Sequence, residues 1–197
     1  GGTIGIPAGS NYVRNSVKAV IDAFNGTVDL YIVDETDPII QVWQKIFPDL
    51  FQPQTAFPAD LRPHWRYPQD LFTAQAETYL TYHITSPRTL FNREDVWSIP
   101  TELLREASVA VEPYYVTLRL PDEPEPEFLL IQPFTPRNRL NAIAWLSGRS
   151  DGENYGKLFA LRFPASPLVD GPAQIEARID SDVAVSRQFT LLDQQGS

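Results

Sequence analysis

The chain has 197 residues, of which 43% are hydrophobic and 12% aromatic, so it is long and apolar enough to build one packed domain. Its formal net charge of −9 repels phosphate backbones and anionic lipids, which argues against nucleic-acid binding and against polybasic docking on a membrane. The sequence has no Cys and two His, which excludes disulfides, thiolate catalysis, Cys-based zinc sites and histidine-rich metal sites.

Helical periodicity dominates the first part of the chain, about residues 11–106. Apolar residues at helical spacing predict a first helix from Val13 to Phe24, and alternation then predicts a strand over residues 27–34. Pro38 suits the first position of a second helix. The apolar face of that helix is formed by Ile39, Val42, Trp43, Ile46 and Phe47.

Five prolines between residues 48 and 68 forbid a long helix or a central strand there. Pro68 then precedes a better helical pattern that runs to about residue 84, with His83 on its apolar side. We therefore expect His83 to be a buried, hydrogen-bonded core histidine. Short helices are predicted over residues 87–91 and 100–107.

Strand periodicity replaces the helical pattern in the portion from about 110 to 165. Two runs, around residues 141–149 and 156–163, form a predicted hairpin joined by the turn-forming segment 150-SDGENYG-156. Short C-terminal helices are predicted over about 172–192. We expect an α+β fold, with helices mainly in the first half, antiparallel hairpins in the second half, and a single soluble domain over residues 1–197.

The acidic segment 34-DETD-37 is one candidate site. Asp34, Glu35 and Asp37 offer carboxylates of the kind that bind divalent cations or act as an acid–base pair. The alternative, which we favour, is structural. In that interpretation Thr36 or Asp37 caps the helix at Pro38, because the positive end of a helix dipole favours acidic residues.

The segment 64-HWRY-67 is a second candidate site. His64, Trp65, Arg66 and Tyr67 combine aromatic faces with a guanidinium, and this combination can stack on and hold a planar or anionic ligand. A packing corner of the core is the alternative and the commoner role of such a cluster.

Sequence motifs for cofactor binding and covalent catalysis do not indicate a function for this chain. The chain has no phosphate-loop pattern and no G-x-G-x-x-G, and segment 150–156 lacks the ligand spacing of an EF-hand. We predict no cofactor and no serine nucleophile. The 25 acidic residues leave open a pair of facing carboxylates, as in glycosidases.

Several long segments resemble one family of bacterial membrane proteins, catalogued as uncharacterised protein family 0182. They are NSVKAVIDAFNGTVDLYIVDETDPII, IFPDLF, RYPQDLF, FNREDVWSIP, VEPYYVTLRLP, FLLIQPFTPRNRLNAIAWLSGRSDGENYGKL and GPAQIEARID. The resemblance covers nearly the whole chain. It implies several transmembrane helices towards the N-terminus of the full-length protein, followed by a large extracytoplasmic region of which this chain is a fragment. The resemblance implies no catalytic or ligand residues.

Three hypotheses follow. The first, which we favour, is a non-enzymatic extracytoplasmic interaction or binding module of a multi-pass cell-membrane protein. Its partners would be the protein's own transmembrane region, an envelope component, another protein or a second copy, but not nucleic acid. The second is an envelope-directed hydrolase or transferase that uses paired carboxylates. The third is an accessory or receptor domain for transport.

Overall fold

The computed structural model describes residues 6–7, 9–104 and 107–195, which fold as α+β in agreement with the sequence prediction. The helices are α1 (Pro38–Ile46), α2 (Gln69–Tyr82), α3 (Pro87–Asn92), α4 (Pro172–Ser181) and α5 (Val183–Gln195). The strands are β1 (Val17–Ile21), β2 (Val28–Ile32), β3 (Phe51–Pro53), β4 (Trp97–Ser98), β5 (Thr101–Leu104), β6 (Ala107–Ala110), β7 (Tyr114–Leu118), β8 (Glu127–Pro136), β9 (Ala144–Arg149) and β10 (Leu158–Arg162).

The prediction of a first helix between Val13 and Phe24 is wrong. Residues 17–21 form β1, which pairs antiparallel with β2 along its whole length. Gly26, at a φ of 76°, and the Asp22 carboxylate, which accepts a hydrogen bond from the Phe24 N–H at 2.7 Å, shape the turn. Valine and isoleucine lose side-chain freedom in a helix and fit a pleated strand, so pairing with the adjacent β2 decides the structure.

The prediction of a helix over residues 100–107 is also wrong in its described part; residues 105–106 lie outside the described residues. β5 and β6 form a two-stranded antiparallel ribbon instead. The Val111 N–H donates to the Pro100 carbonyl at 3.0 Å, so the residues that flank the β5–β6 ribbon on either side lie next to each other. A helix would hold its ends apart, because each residue advances the chain by about 1.5 Å.

The larger sheet is organised around β8. β9 pairs with one edge of β8, while β7 and β4 share the other edge, and β10 extends the sheet beyond β9. All of these pairings are antiparallel. The predicted β9–β10 hairpin is confirmed, as are the short helix α3 and the two C-terminal helices.

The main core lies between α2 and one face of this sheet. Phe72 and Ala76 of α2 pack with Leu130 and Phe134 of β8. Leu129 and Ile131 of β8 point to the opposite face, as the alternation of a strand requires, and form a second apolar cluster with Leu120. Each fully buried Phe or Leu contributes about 1.5–3 kcal/mol to the free energy of unfolding.

His83 is a core residue, as predicted. Its side chain is fully buried at the end of α2, and Nδ1 donates to the Tyr79 carbonyl at 2.8 Å. Its ring stacks on Trp97 with 3.6 Å between ring centroids.

None of the described helices is both long enough and apolar enough to cross a membrane.

Candidate functional site

Trp65 and Tyr155 form one wall of a cleft of about 420 Å³, which we call the Trp65–Tyr155 cleft. Their ring centroids lie 5.0 Å apart, although the two residues come from distant parts of the chain. Trp65 follows a 3₁₀ turn in the proline-dense segment, and Tyr155 belongs to the β9–β10 turn. Arg62 and Ser150 also line the cleft.

The four residues of the HWRY candidate separate in the structure. Trp65 lines the cleft, whereas His64 is exposed on the 3₁₀ turn. The Arg66 guanidinium turns away, lies 4.3 Å from the centroid of the Phe128 ring, and donates to the Trp65 carbonyl at 2.8 Å. Arg66 therefore holds the backbone that carries Trp65.

Tyr67 belongs to the core and not to the cleft. It is 3% exposed, and its hydroxyl donates to Gln75 Oε1 at 2.7 Å. Its ring packs so closely on Gly148 that a Cβ atom there would lie 2.7 Å from Tyr67 Cγ. Burial raises the pKa of the Tyr67 hydroxyl. The predicted packing corner thus applies to Tyr67, whereas Trp65 lines the cleft, where a ligand contact stays a prediction.

Two cations stand over the aromatic rings. The Arg62 guanidinium lies 5.3 Å from the Trp65 ring centroid, and Lys18 Nζ of β1 lies 5.2 Å from the Tyr155 ring centroid. Burial lowers the pKa of Lys18 to about 8, because the ammonium is partly removed from water.

Polar groups complete the wall. Tyr155 Oη accepts a hydrogen bond from Asn15 Nδ2 at 2.6 Å, and burial raises the pKa of the Tyr155 hydroxyl. Trp65 Nε1 is buried without a hydrogen-bond acceptor among the described residues. Ser150 Oγ accepts from the Tyr67 N–H at 3.1 Å and keeps its own proton to donate. The aromatic rings, the Arg62 guanidinium and the Ser150 hydroxyl suit a planar or anionic ligand, and Glu153 adds one carboxylate to the lining.

Residues 148–152 match the pattern G-x-S-x-G, a signal that the sequence analysis overlooked. The structural context differs from that of a nucleophile elbow, in which the serine stands on a sharp strand-to-helix turn. Ser150 directly follows β9 at the start of the hairpin turn, and in the described part of the chain no histidine or carboxylate hydrogen-bonds its hydroxyl. We assign Ser150 to the wall of the cleft.

A buried ion-pair network supports this turn. Arg149 Nε donates to Glu127 Oε2 at 2.7 Å and its Nη2 donates to Glu123 Oε1 at 2.6 Å, with a second short contact to Glu127. Asn154 Nδ2 donates to Glu127 Oε1 at 3.2 Å. The Arg149 guanidinium lowers the pKa of Glu127, and the Glu127 carboxylate in turn raises the pKa of Arg149. The network ties the turn to β8 and so positions Tyr155.

The DETD segment is a helix cap. Asp37 accepts hydrogen bonds from the Tyr12 and Ser16 hydroxyls at 2.5 and 2.6 Å and from the Ile39 N–H at 3.0 Å. The hydrogen bond from Ser16 is the largest cause of the lowered pKa of Asp37. Asp34 accepts from the Thr36 hydroxyl at 2.6 Å, and Glu35 is exposed.

No group of three or more His, Asp or Glu side chains is arranged to hold a metal ion within the described ranges. We build no cation site on Asp34, Glu35 and Asp37. Three other carboxylates, those of Asp70, Glu77 and Glu112, line a separate cleft of about 450 Å³, which the sequence did not single out.

The predicted apolar face of α1 exists and faces outwards; we call it the α1 face. Its members are 45–56% exposed and are Ile39, Val42, Trp43, Ile46 and Phe47. Trp43 and Phe47 stack with 5.7 Å between ring centroids. Ile40 is the buried residue of α1 and anchors the helix to the domain. The strongest apolar stripe of the first half is therefore not covered by the described residues.

Comparison with known proteins identifies one family. The model of the family described as Uncharacterised protein family (UPF0182) matches residues 6–192. Relatives called UPF0182 protein include one from Desulforamulus reducens, 53% identical over 189 residues, and one from Trichodesmium erythraeum, 50% identical over 187 residues. These matches cover 96% and 95% of this chain, respectively, and 20% of each relative.

The chain thus spans about one-fifth of the length of the curated relatives it matches. No solved structure matches it. Because the family model covers nearly the whole chain and the relatives are about half identical to it, the chain belongs to the family UPF0182.

Proposed function

We propose that this chain is a non-enzymatic interaction module of a longer polypeptide, and that another part of the same polypeptide covers the α1 face. The observation that carries the proposal is the exposure of Trp43 and its apolar neighbours on one side of a single helix. Contiguous apolar patches on soluble surfaces usually mark interaction sites.

The energetics favour covering this face. Burying a large apolar side chain contributes about 1.5–3 kcal/mol, so each half-exposed side chain on the α1 face offers on the order of 1 kcal/mol. Trp and Phe are also the residue types enriched at the centres of interfaces. An amphipathic helix with such a face fits an apolar groove or a second amphipathic helix.

The polypeptide itself is the occupant that we favour. The chain spans about one-fifth of each relative's length, so a covalently linked partner of much greater size stands beside it in those proteins. A linked segment binds with an effective concentration of about millimolar, which makes a modest apolar contact sufficient.

We further propose that the whole protein is a multi-pass protein of the cell membrane and that this module lies on its extracytoplasmic side. The support is what the family resemblance implies. The segment over the α1 face would then belong to, or adjoin, the protein's own transmembrane region.

Photo-crosslinking tests the proposal in the full-length protein in its native membrane. A photoreactive phenylalanine analogue replaces Trp43, and the matched control carries it in place of Phe91, a 90% exposed aromatic residue of α3. We expect the Trp43 probe to crosslink to a segment of the same polypeptide outside residues 1–197, and the Phe91 probe to give no such product. Crosslinks from position 43 only to a second copy, to another protein or to nothing would contradict the proposal.

A second candidate, a receptor domain for transport, is favoured by the Trp65–Tyr155 cleft. Its aromatic rings and the Arg62 guanidinium suit a planar anionic ligand. Thermal unfolding in the presence of a panel of aromatic carboxylates tests this idea, because a ligand that binds the native state raises the apparent stability. A stabilising compound should lose its effect in Arg62→Gln and keep it in Arg187→Gln. Equal stabilisation of the two variants, or a flat panel, would count against a receptor.

A further inference from the structure

A cleft of about 430 Å³ lies between the α3–β4 connection and the turn that follows β8. We call it the arginine cleft because Arg93, Arg137 and Arg139 line it. The Arg139 N–H donates to the Pro136 carbonyl at 3.0 Å, and the Arg137 N–H donates to the Val96 carbonyl at 3.1 Å. The three guanidinium groups thus come from two chain segments that backbone hydrogen bonds join.

The charges of these three guanidinium groups are only partly balanced within the cleft. In the part of the chain that the structure describes, no carboxylate forms an ion pair with Arg93, Arg137 or Arg139. Two carboxylates, those of Glu94 and Asp95, also line the cleft, and Glu94 Oε1 accepts a hydrogen bond from the neutral Asn92 amide at 2.8 Å. Three guanidinium groups against two carboxylates leave a formal excess of one positive charge in the concave surface.

The remaining carboxylate of the cleft, Asp95, stands beside a buried histidine. Asp95 Oδ2 lies 3.7 Å from Nε2 of His83, whose side chain is fully buried. His83 Nδ1 already donates to the Tyr79 carbonyl, and Nε2 has no hydrogen-bond partner among the described residues. Asp95 thus lies between the cleft and a buried histidine nitrogen, Nε2 of His83, that forms no hydrogen bond within the described residues.

We propose that the arginine cleft binds a phosphate group, either free or as part of a larger molecule. Guanidinium groups donate paired hydrogen bonds whose geometry matches phosphate oxygens. The three guanidinium groups outnumber the two carboxylates of the cleft, and a phosphate offers several oxygens and up to two negative charges. The volume of about 430 Å³ leaves room for an attached alcohol or nucleoside.

The overall charge of −9 does not prevent this binding. Charges on the surface are screened beyond about 8 Å at physiological salt, so a bound phosphate responds mainly to the arginines that touch it. For the same reason we expect affinity to fall as salt rises. This site is separate from the α1 face and does not depend on the function proposed above.

Titration with inorganic phosphate tests the proposal, followed by amide chemical shifts in two-dimensional NMR spectra of the chain. We expect saturable shifts at residues 93–96 and 137–139. The variant R137Q/R139Q should bind phosphate at least tenfold more weakly. The matched control R119Q/R187Q removes two exposed arginines elsewhere and the same total charge, and it should bind as the parent does. Thermal unfolding shows whether each variant folds.

Two further probes identify the class and the source of the ligand. Flotation with phosphatidylglycerol vesicles, against phosphatidylcholine vesicles, shows whether a lipid phosphate is held, in which case R137Q/R139Q should reduce flotation. Acetate serves as the carboxylate probe and should bind more weakly than phosphate. The proposal is overturned if neither phosphate nor phosphatidylglycerol binds, if acetate binds equally well, or if R119Q/R187Q loses as much binding as R137Q/R139Q.

Discussion

Arg149 and Glu127 form a buried pair at the point where β8, β9 and the turn that carries Tyr155 meet, with side chains that are each 10% exposed. Glu123 adds a second carboxylate to Arg149. The pair comes from adjacent strands and ties the outer wall of the Trp65–Tyr155 cleft to the sheet. The first prediction concerns this pair.

Replacing Arg149 by Met leaves the Glu127 carboxylate buried without its cation, and we expect a loss of about 3 kcal/mol in the free energy of unfolding. The pKa of Glu127 is lowered in the folded state. Its ionised carboxylate therefore stabilises the fold at pH values above its pKa in the unfolded chain, and this stabilisation is lost as the pH falls through its pKa in the folded state. Urea unfolding at pH 7 and pH 4 should show a smaller loss at pH 4. The double variant R149M/E127L should be more stable than R149M at pH 7. A loss below about 1 kcal/mol at pH 7 would show that the pair contributes little.

The second prediction concerns Lys18 and the free energy of unfolding at alkaline pH. The pKa of Lys18 in the folded state is about 8, below the usual lysine value of 10.5, so the folded state releases this proton first and stability rises with pH between about 8 and 9.5. Lys18→Met should remove this rise and, because the side chain is partly exposed, should stabilise the chain at pH 7 by only on the order of 1 kcal/mol. Urea unfolding of both proteins across that pH range measures the difference. Parallel curves for the two proteins would be inconsistent with a lowered Lys18 pKa.

The third prediction concerns the close contact between Tyr67 and Gly148. In Gly148→Ala the new Cβ would lie 2.7 Å from Tyr67 Cγ, so the ring or the strand must shift. Overpacking of this kind costs about 1–3 kcal/mol. The same change in a Tyr67→Leu background should cost less, because the ring is gone, and a double-mutant cycle from chemical denaturation gives the coupling energy. Additive effects would rule out the contact.

The fourth prediction concerns the α1 face. In the chain by itself, Ile46→Ser should change the free energy of unfolding by less than about 0.5 kcal/mol, because Ile46 is 56% exposed. The matched change on the same helix, Ile40→Ala, removes a residue that is 5% exposed and should cost about 2–5 kcal/mol. Thermal and urea unfolding compare the two. Similar costs would mean that the α1 face is covered within the chain.

Several elements could be predicted because their signals are local. Pro38 at the first position of α1 and Asp37 as its cap are decided by residues within one helical turn. The β9–β10 hairpin follows from two alternating runs that flank a turn-forming segment. The membership of the chain in its family likewise rests on long continuous segments, without any need for the fold.

The two wrong predictions are segments whose apolar spacing fits a helix while their partners favour a strand. β1 pairs with β2, and β5 pairs with β6, so hydrogen bonds between segments override the spacing within each one. The α1 face is a different case: the helix is as predicted, but spacing says only that apolar residues share a side, not what covers them.

The sites show the same division. The residues of the segment HWRY are adjacent in the sequence, which suggested one cluster. In the structure the side chain of Trp65 lines a cleft, whereas the side chain of Tyr67 packs in the core. Lys18 and Tyr155 come from separate segments of the chain, and no pattern of spacing links them. The same is true of the two segments that supply the arginines of the arginine cleft. Composition, caps, turns and family were determined by the sequence alone, because each depends on neighbouring residues or on continuous matches. Which side chains meet was decided by the tertiary structure, because those contacts depend on strand pairing and packing between distant segments.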